Sequence, residues 1–256
     1  MMFIDTHAHL YHKQFDSDRR DMLRRAADNG VTRLYLPNID HDSIDAMHAL
    51  CDAHPDLCYP MMGLHPCHVT ADARKDLAEV ERLLANGRYY AVGEIGIDLY
   101  WDKTLLVQQQ EAFRTQVRWA KELALPIVIH SRESFDEVFA IVEEENDDTL
   151  RGIFHCFTGT SEQARMIISL GGFKMGIGGV ITYPKSGLSQ TMKEVGAEQC
   201  VLETDAPYLS PVPHRGKRNE SSYIPVIAQA LAIATERTLD DIARITTANA
   251  EQIFAK

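Results

Sequence analysis

The stretch "FIDTHAHL", residues 3–10, decides the fold. An apolar start leads into three polar residues at alternating positions, Asp5, His7 and His9. Because alternate residues of a β-strand point to the same face, we expect these three side chains to share one face, with two imidazoles side by side. The pattern predicts a first strand whose carboxyl end carries part of a functional site.

Seven further runs typical of buried strands follow: 31–39, 57–65, 89–98, 126–131, 151–157, 171–179 and 200–207. Amphipathic helical patterns lie between them, for example over residues 18–29 and 104–124. Strands that alternate with helices indicate a parallel sheet. Eight such repeats in about 250 residues favour an α/β fold of the closed (β/α)8 TIM-barrel type, and residues 1–256 are expected to form one domain. An open doubly wound sheet is the alternative, although no G-x-G-x-x-G motif follows the first strand.

Composition narrows the class of protein. The 256 residues are 45% hydrophobic, which is enough apolar material for a sizeable core. We see neither a run long enough to span a membrane nor a signal peptide, and five scattered cysteines without a C-x-x-C pair fit reduced thiols, so we expect a cytoplasmic protein. The formal net charge of −11 argues against extensive wrapping by nucleic acid but leaves room for a local cationic site.

Residues that bind metals or protons recur where the predicted strands end. They are His7, His9, His65, Glu94, Asp98, His130, His155, Glu203 and Asp205. The carboxyl ends of the strands are the face on which (β/α)8 barrels build their active sites from several strands at once. Imidazole and carboxylate together are ligands for Zn, Mn, Fe or Ni. The recurrence predicts a metal centre on that face.

Six of these residues are too many for one tetrahedral ion: His7, His9, Glu94, His130, His155 and Asp205. Two divalent ions that share a bridging carboxylate would use them all. Glu94 is the natural bridge, because its strand lies between the first strand and the two later histidine strands. Two ions about 3.5–4 Å apart clamp a phosphoryl group and lower the pKa of a bridging water. The metal is left open: four histidines suggest Zn or a similar transition ion.

Eight segments occur in an order that is similar to a known family. "FIDTHAHL", "GLHP", "VGEIGID", "IVIHSRES", "FHCFTG", "LETDAPYLSP", "RGKRNE" and "TTANAEQIF" resemble signature segments of the TatD-related metal-dependent deoxyribonucleases, within the metal-dependent hydrolase barrels. The resemblance runs from Phe3 to Phe254. It implies a (β/α)8 barrel that hydrolyses DNA phosphodiesters, often as a 3′-to-5′ exonuclease with Mg or Mn. It also implies one ion on His7, His9, Glu94 and Asp205, and a second on Glu94, His130 and His155.

Three residues near these ligands receive roles. Asp205 is predicted to act both as a ligand and as the group that takes the proton from the attacking water. Glu203 either orients a ligand or contacts the substrate, with half of a buried ion pair as the other reading. His65 follows the third strand, away from the six ligands. It either donates to the scissile phosphate, which we favour, or braces the loop before Pro66.

A basic loop, "PHRGKRNE" at residues 213–220, follows the eighth strand. Barrels often bind phosphate near the loops after strands seven and eight. Arginine matches a pair of phosphate oxygens, so Arg215 is predicted to contact phosphate, with Lys217 and Arg218 as weaker candidates. A solvated basic loop is the alternative.

Three aromatic residues also follow ligand-bearing segments. Tyr100 and Trp101 come after the Glu94 segment, and Phe157 comes after His155. They either stack on unpaired bases or pack at the rim of the barrel, and the sequence leaves both open.

The sequence thus predicts a two-metal phosphodiesterase acting on single-stranded DNA or frayed 3′ ends, with Glu94 and Asp205 as its catalytic residues. In-line attack by a metal-bridging hydroxide is the expected mechanism. Two rivals stay open, because fold does not fix function. One is a metal-dependent hydrolase of another bond, such as an aminoacyl-tRNA ester or a small cyclic amide. The other is a non-enzymatic partner protein with structural metals. No protein partner is evident, and the oligomeric state, the strand polarity and the preference for DNA over RNA stay open.

Overall fold

The computed structural model describes residues 1–85 and 87–255, and in this part of the chain eight strands alternate with nine α-helices. The strands are β1 (Phe3–Asp5), β2 (Val31–Pro37), β3 (Cys58–Met61), β4 (Val92–Asp98), β5 (Ile127–Arg132), β6 (Gly152–Phe154), β7 (Phe173–Ile177) and β8 (Cys200–Leu202). The helices are α1 (Arg19–Asp28), α2 (Ile44–Ala53), α3 (Ala73–Leu84), α4 (Leu106–Glu122), α5 (Phe135–Glu145), α6 (Ser161–Ser169), α7 (Leu188–Val195), α8 (Ile224–Ala234) and α9 (Leu239–Ile253).

The strands close into a barrel. Parallel pairing joins β1, β2 and β3 in one hydrogen-bonded group, and β4 to β8 in a second group. Two isolated parallel bridges connect the groups, Met62 with Val92 and Ala8 with Ala206. The predicted (β/α)8 barrel is confirmed, and the open-sheet alternative is wrong.

Alternation along each strand sorts the core into two layers. Ile4, Tyr35, Met61, Val128 and their counterparts in β6 and β8 form one buried cluster. Because the cluster takes one residue from each of these six strands, it fills the barrel interior. The ring of Phe254, just after α9, stacks on Tyr35 at 3.6 Å between centroids and belongs to the same cluster. The large remaining cluster lies between the strands and the helices.

The helices agree with their sequence patterns. The pattern over 18–29 corresponds to α1, and the one over 104–124 corresponds to α4, each with ends shifted by one or two residues. Gly30 follows α1 with φ +80°, a left-handed conformation that glycine adopts without steric cost. No helix within the described ranges is long and apolar enough to cross a membrane.

Most strands end earlier than the sequence predicts. β1 ends at Asp5 and β8 ends at Leu202, so the polar residues that follow them lie in loops. Asp5 does not join the histidines, contrary to the expectation of a shared face. Its carboxylate accepts hydrogen bonds from the backbone N–H (3.0 Å) and the hydroxyl (2.7 Å) of Thr204, which ties β1 to the loop after β8. Strand alternation fails because the chain leaves the ladder directly after Asp5, before it reaches His7 and His9.

Candidate metal centre

The site is built around Glu94, which lies in β4 with 2% of its surface exposed. Its Oε2 is 3.1 Å from Nε2 of His7 and 3.7 Å from Nε2 of His9. Its Oε1 is 2.8 Å from Nδ1 of His130 and 3.4 Å from Nε2 of His155. Each carboxylate oxygen therefore faces a different set of imidazoles, which is the arrangement expected of a bridging ligand.

Asp205 completes the His7–His9 side of the cluster. Its Oδ1 lies 3.4 Å from Nε2 of His9 and 3.8 Å from Nε2 of His7. Asp205 has φ +56°, an uncommon backbone conformation for a non-glycine residue, and its backbone N–H donates to the carbonyl of His7 at 2.9 Å. The structure thus brings all six predicted ligands together, and their binding of metal stays a prediction.

Hydrogen bonds behind two rings select which nitrogen faces the centre. Nε2 of His130 lies 2.9 Å from Oδ2 of Asp98, and Nδ1 of His155 lies 3.0 Å from Oε1 of Glu203. A carboxylate only accepts, so these outer nitrogens carry the proton. The inner nitrogen of each ring, which faces Glu94, is therefore the one that can exchange its proton for a metal ion.

Tyr11 performs the same task for His9. The Tyr11 hydroxyl donates to the carbonyl of Pro37 at 2.6 Å, so it accepts from Nδ1–H of His9 at 3.0 Å. Nε2 of His9 is left with its lone pair toward Glu94 and Asp205. Sequence reasoning missed Tyr11, although it continues the alternating series His7, His9, Tyr11.

His65 belongs to the cluster, so the expectation that it lies away from the ligands is wrong. Its Nε2 is 3.3 Å from Nδ1 of His130 and 3.4 Å from Oε1 of Glu94. The reason is barrel closure, which joins the chain after β3 to β4. Nδ1 of His65 accepts from the backbone N–H of Cys67 at 3.1 Å, so Nε2 carries the proton. His65 therefore presents an N–H to the centre, whereas His9, His130 and His155 direct toward it the nitrogen that would bind a metal ion.

The charges at the centre favour cations. Burial raises the pKa of Glu94, but His65, His155 and His7 lower it more, and the pKa lies well below its usual range. Burial also raises the pKa of Asp205, and the contacts with His9 and His155 again lower it. Burial lowers the pKa of His155, yet Glu203 and Glu94 raise it to about 10. The carboxylates are thus ionised at neutral pH and draw positive charge to their partners.

Two polar atoms of the cluster are left without a partner among the described residues. Nδ1 of His7 and Oε2 of Glu203 are buried, and neither has a hydrogen-bond partner in the described part of the chain. Ionised carboxylates are costly to bury unless cations lie beside them, and both protonated imidazoles and metal ions meet that need. The residues fit a centre for divalent metal ions.

Comparison with known proteins places the chain in a family. The family model for TatD related DNases matches residues 4–255. The chain belongs to the TatD-related DNase family. It is therefore a member of the metal-dependent hydrolases, as the resemblance in the sequence indicates.

Relatives match this TatD-family protein over nearly their whole length. "Uncharacterized metal-dependent hydrolase YabD" of Bacillus subtilis (strain 168) is 37% identical over 254 residues, which cover 99% of each chain. "3'-5' ssDNA/RNA exonuclease TatD" of Pantoea sp. (strain At-9b) is 31% identical over 256 residues, 98% of each chain. The crystal structure of YJJV, a TatD homolog from Escherichia coli K12, superimposes with a TM-score of 0.92 at 29% identity, covering 99% of this chain and 98% of that one.

Glu203 of this TatD-family protein lies behind His155 and is fully buried. Besides His155, its Oε1 accepts from the backbone N–H of Cys156 at 2.6 Å. Gly176 leaves room for the other oxygen, because a Cβ there would lie 2.1 Å from Oε2. This position favours the role of orienting His155, and substrate contact by Glu203 stays a prediction.

The basic loop divides into two parts. Arg218 donates to Asp18 at 2.7 Å and lies 3.6 Å from Glu220, so it holds the loop against the start of α1. Arg215 is exposed, with its guanidinium carbon 4.1 Å from the ring centroid of Tyr183. Of the predicted phosphate contacts, Arg218 is engaged in ion pairs, whereas Arg215 lies against an aromatic ring.

The three rim aromatics differ in exposure. Phe157 is buried in the main core, so for this residue rim packing is correct. Tyr100 and Trp101 are 49% and 71% exposed. Packing at the rim of the barrel therefore does not explain the presence of a tryptophan at position 101.

Proposed function

We propose that this protein is a divalent-metal-dependent nuclease that hydrolyses the phosphodiester bonds of single-stranded DNA from the 3′ end. One observation carries the proposal. Hydrogen bonds behind the rings of His9, His130 and His155 leave the inner nitrogen of each ring to bind a metal ion, while His65 presents an N–H. A phosphodiesterase needs both features, ions to neutralise the phosphate and a donor for its oxygens.

The predicted ligand sets agree with the two sides of Glu94. His7, His9, Glu94 and Asp205 would hold one ion, and Glu94, His130 and His155 would hold the other. The choice among Mg, Mn and Zn is left to experiment. When bound, such ions would stabilise the developing negative charge on a phosphoryl group and lower the pKa of the attacking water.

The protein's own side chains supply proton transfer and positioning. Asp205, whose side chain is 15% exposed, is the ionised carboxylate proposed to accept the proton of the attacking water. Nε2–H of His65 is proposed to donate to a non-bridging phosphate oxygen, and Arg215 to contact a neighbouring phosphate.

Two observations support this function over its rivals. The relatives from Pantoea carry names that specify 3'-5' exonuclease action on ssDNA and RNA. The centre is also open to its surroundings, since the side chains of His65 and His130 are 12% and 15% exposed. Structural metal sites are closed, whereas catalytic sites keep an open position, which favours an enzyme over a partner protein with structural metals.

The test is digestion of 5′-labelled single-stranded DNA on a sequencing gel. Wild type is compared with Glu94→Gln and with Glu81→Gln, an exposed glutamate on α3, at each divalent metal and with chelator. A ladder that shortens from the 3′ end, and that Glu94→Gln and chelator abolish, is expected. A 3′-terminal phosphorothioate should delay it. Folded, metal-loaded protein that leaves DNA intact would overturn the proposal, and ester and cyclic-amide substrates would then be tested.

A further inference from the structure

An exposed aromatic pair lies beside the centre, in the loop after β4. The rings of Tyr100 and Trp101 meet edge to face, with centroids 4.9 Å apart and an interplanar angle of 88°. The guanidinium carbon of Arg132 lies 3.8 Å from the ring centroid of Tyr100 and 5.6 Å from that of Trp101. With 71% of Trp101 exposed, a large apolar face is left open to a ligand.

The aromatic pair is fixed relative to the metal centre through Asp98. Oδ1 of this buried carboxylate accepts from the backbone N–H of Tyr100 at 2.9 Å and of Trp101 at 3.2 Å. Its other oxygen accepts from Nε2 of His130. One side chain thus orients a predicted metal ligand and anchors the aromatic segment, so Asp98 connects the two through direct hydrogen bonds.

Arg132 adds a cation at the same place. It ends β5, two residues after His130, and pairs in register with Asp98. Arg132 is exposed, and among the described residues no carboxylate lies within ion-pair distance of it. A stacked guanidinium keeps its N–H edge for a phosphate.

We propose that Tyr100, Trp101 and Arg132 form a stacking platform for an unpaired nucleobase of a single DNA strand, with Arg132 at the adjoining phosphate. The platform rests on the proposed function and specifies how that site holds its strand. Stacking on an aromatic ring tolerates every base, because each base has a π-face. Bases inside a duplex do not offer that face, so the platform gives a preference for single strands.

The chain offers a direct optical test, because it contains two tryptophans and the second, Trp119, lies on α4 against the core. In Trp119→Phe, emission reports Trp101 alone. A labelled oligothymidylate is titrated with chelator present, so that binding is read without cleavage. We expect quenching of Trp101 that saturates together with the anisotropy of the oligonucleotide. Trp101→Ala should weaken binding about 5- to 150-fold, the equivalent of about 1–3 kcal/mol per stacked base, and Trp101→Phe should retain most of it.

A second arm separates stacking from general attraction to phosphate. Each position of the oligonucleotide is replaced in turn by an abasic sugar. At one position the replacement should weaken binding to wild type yet have no further effect on Trp101→Ala. Arg132→Ala should weaken all oligonucleotides, abasic ones included, and should reduce the salt dependence of binding. RNA oligonucleotides, run in parallel, show whether the platform separates DNA from RNA.

The outcomes are distinct. Trp101 emission that stays unchanged when the oligonucleotide is bound would overturn the platform, as would equal affinities for wild type and Trp101→Ala. An oligonucleotide that binds neither chelated nor metal-loaded protein would overturn it too. If the wild type cleaves DNA and Trp101→Ala has an unchanged KM, the platform is wrong and the proposed nuclease activity stands. If Trp101 emission is quenched and binding depends on the base, but no metal-loaded protein cleaves DNA, the proposed nuclease activity is wrong and the platform stands.

Discussion

Oδ2 of Asp98 lies 2.9 Å from Nε2 of His130, and Nδ1 of the same ring lies 2.8 Å from Glu94. Burial raises the pKa of Asp98, but the hydrogen bond and charge of His130 lower it to about 2, so the carboxylate is ionised under ordinary conditions. An ionised acceptor behind the ring holds the tautomer that a metal ligand needs.

Asp98→Asn should therefore weaken metal binding. An asparagine amide can present its NH₂ to His130, which favours the opposite tautomer and removes the lone pair facing Glu94. Loss of such a supporting partner typically costs about 10- to 100-fold in metal affinity. Competition with a fluorescent chelator measures the change. Asp102→Asn, on an exposed loop nearby, is the control, and equal metal affinity for Asp98→Asn and wild type would contradict the assignment.

Tyr11→Phe should affect the other side of Glu94. The substitution removes the hydroxyl that accepts from Nδ1–H of His9, while the ring stays in place. We expect about a 10-fold loss of affinity for the ion on the His7–His9 side, with the second ion unchanged. Isothermal titration resolves the two binding steps. A uniform weakening of both ions would indicate that Tyr11 acts on the fold and not on His9.

The substitution His65→Ala distinguishes between two roles for His65, a hydrogen-bond donor to phosphate and a metal ligand. Because Nε2 of His65 carries a proton, its loss should leave metal affinity unchanged. Removal of a donor to a developing charge costs about 100- to 1,000-fold in kcat by analogy with other enzymes. His65→Gln, which keeps an N–H donor, should recover part of the rate. Loss of one bound ion in His65→Ala would instead make His65 a ligand.

The sequence was sufficient for the barrel and for Glu94 with the five other predicted ligands, because both follow from short periodic patterns. The periodicity predicts which face a residue takes only while the chain stays in a strand. Asp5 and Asp205 lie where that rule ends, one turned toward Thr204 and the other held at φ +56°. Their positions depend on contacts between β1 and the loop after β8, nearly two hundred residues apart in the chain.

The sequence also could not predict which side chains contact one another across the barrel. Asp98 was visible as a strand-end acid, but its pairing with His130 depends on the register of β4 against β5. His65 was assigned a plausible role and the wrong place, because its distance from His130 follows from closure of the barrel. Tyr11 could have been found from the sequence, because it continues the alternating series of His7 and His9. Nothing in the sequence indicates that the side chain of Trp101 is exposed.

The ion pairs around Asp18 should make stability depend on pH. Asp18 accepts from Arg218 and from Arg25 at 2.9 Å, and these hydrogen bonds hold the pKa of Asp18 far below its usual range. Glu220 accepts a hydrogen bond from Arg25 at 2.6 Å. Burial raises the pKa of Glu220, but the contact with Arg25 lowers it more, so the pKa lies below its usual range. Carboxyl groups with lowered pKa values stabilise the folded state above their ordinary pKa of about 4, and this contribution is lost as the pH falls.

Asp18→Asn should therefore lower the free energy of unfolding by about 1.5–3 kcal/mol at pH 7, the range for hydrogen bonds to charged groups. The difference from wild type should shrink below about pH 4, because protonation of Asp18 in the wild type then removes the same interactions. Urea unfolding at pH 7, 5 and 3 measures it. Asp21→Asn is the control, since Asp21 pairs with Arg24 on the exposed side of α1 and such pairs contribute about 0–1 kcal/mol. A difference that is the same at pH 3 and pH 7 would assign the effect of Asp18→Asn to packing and not to charge.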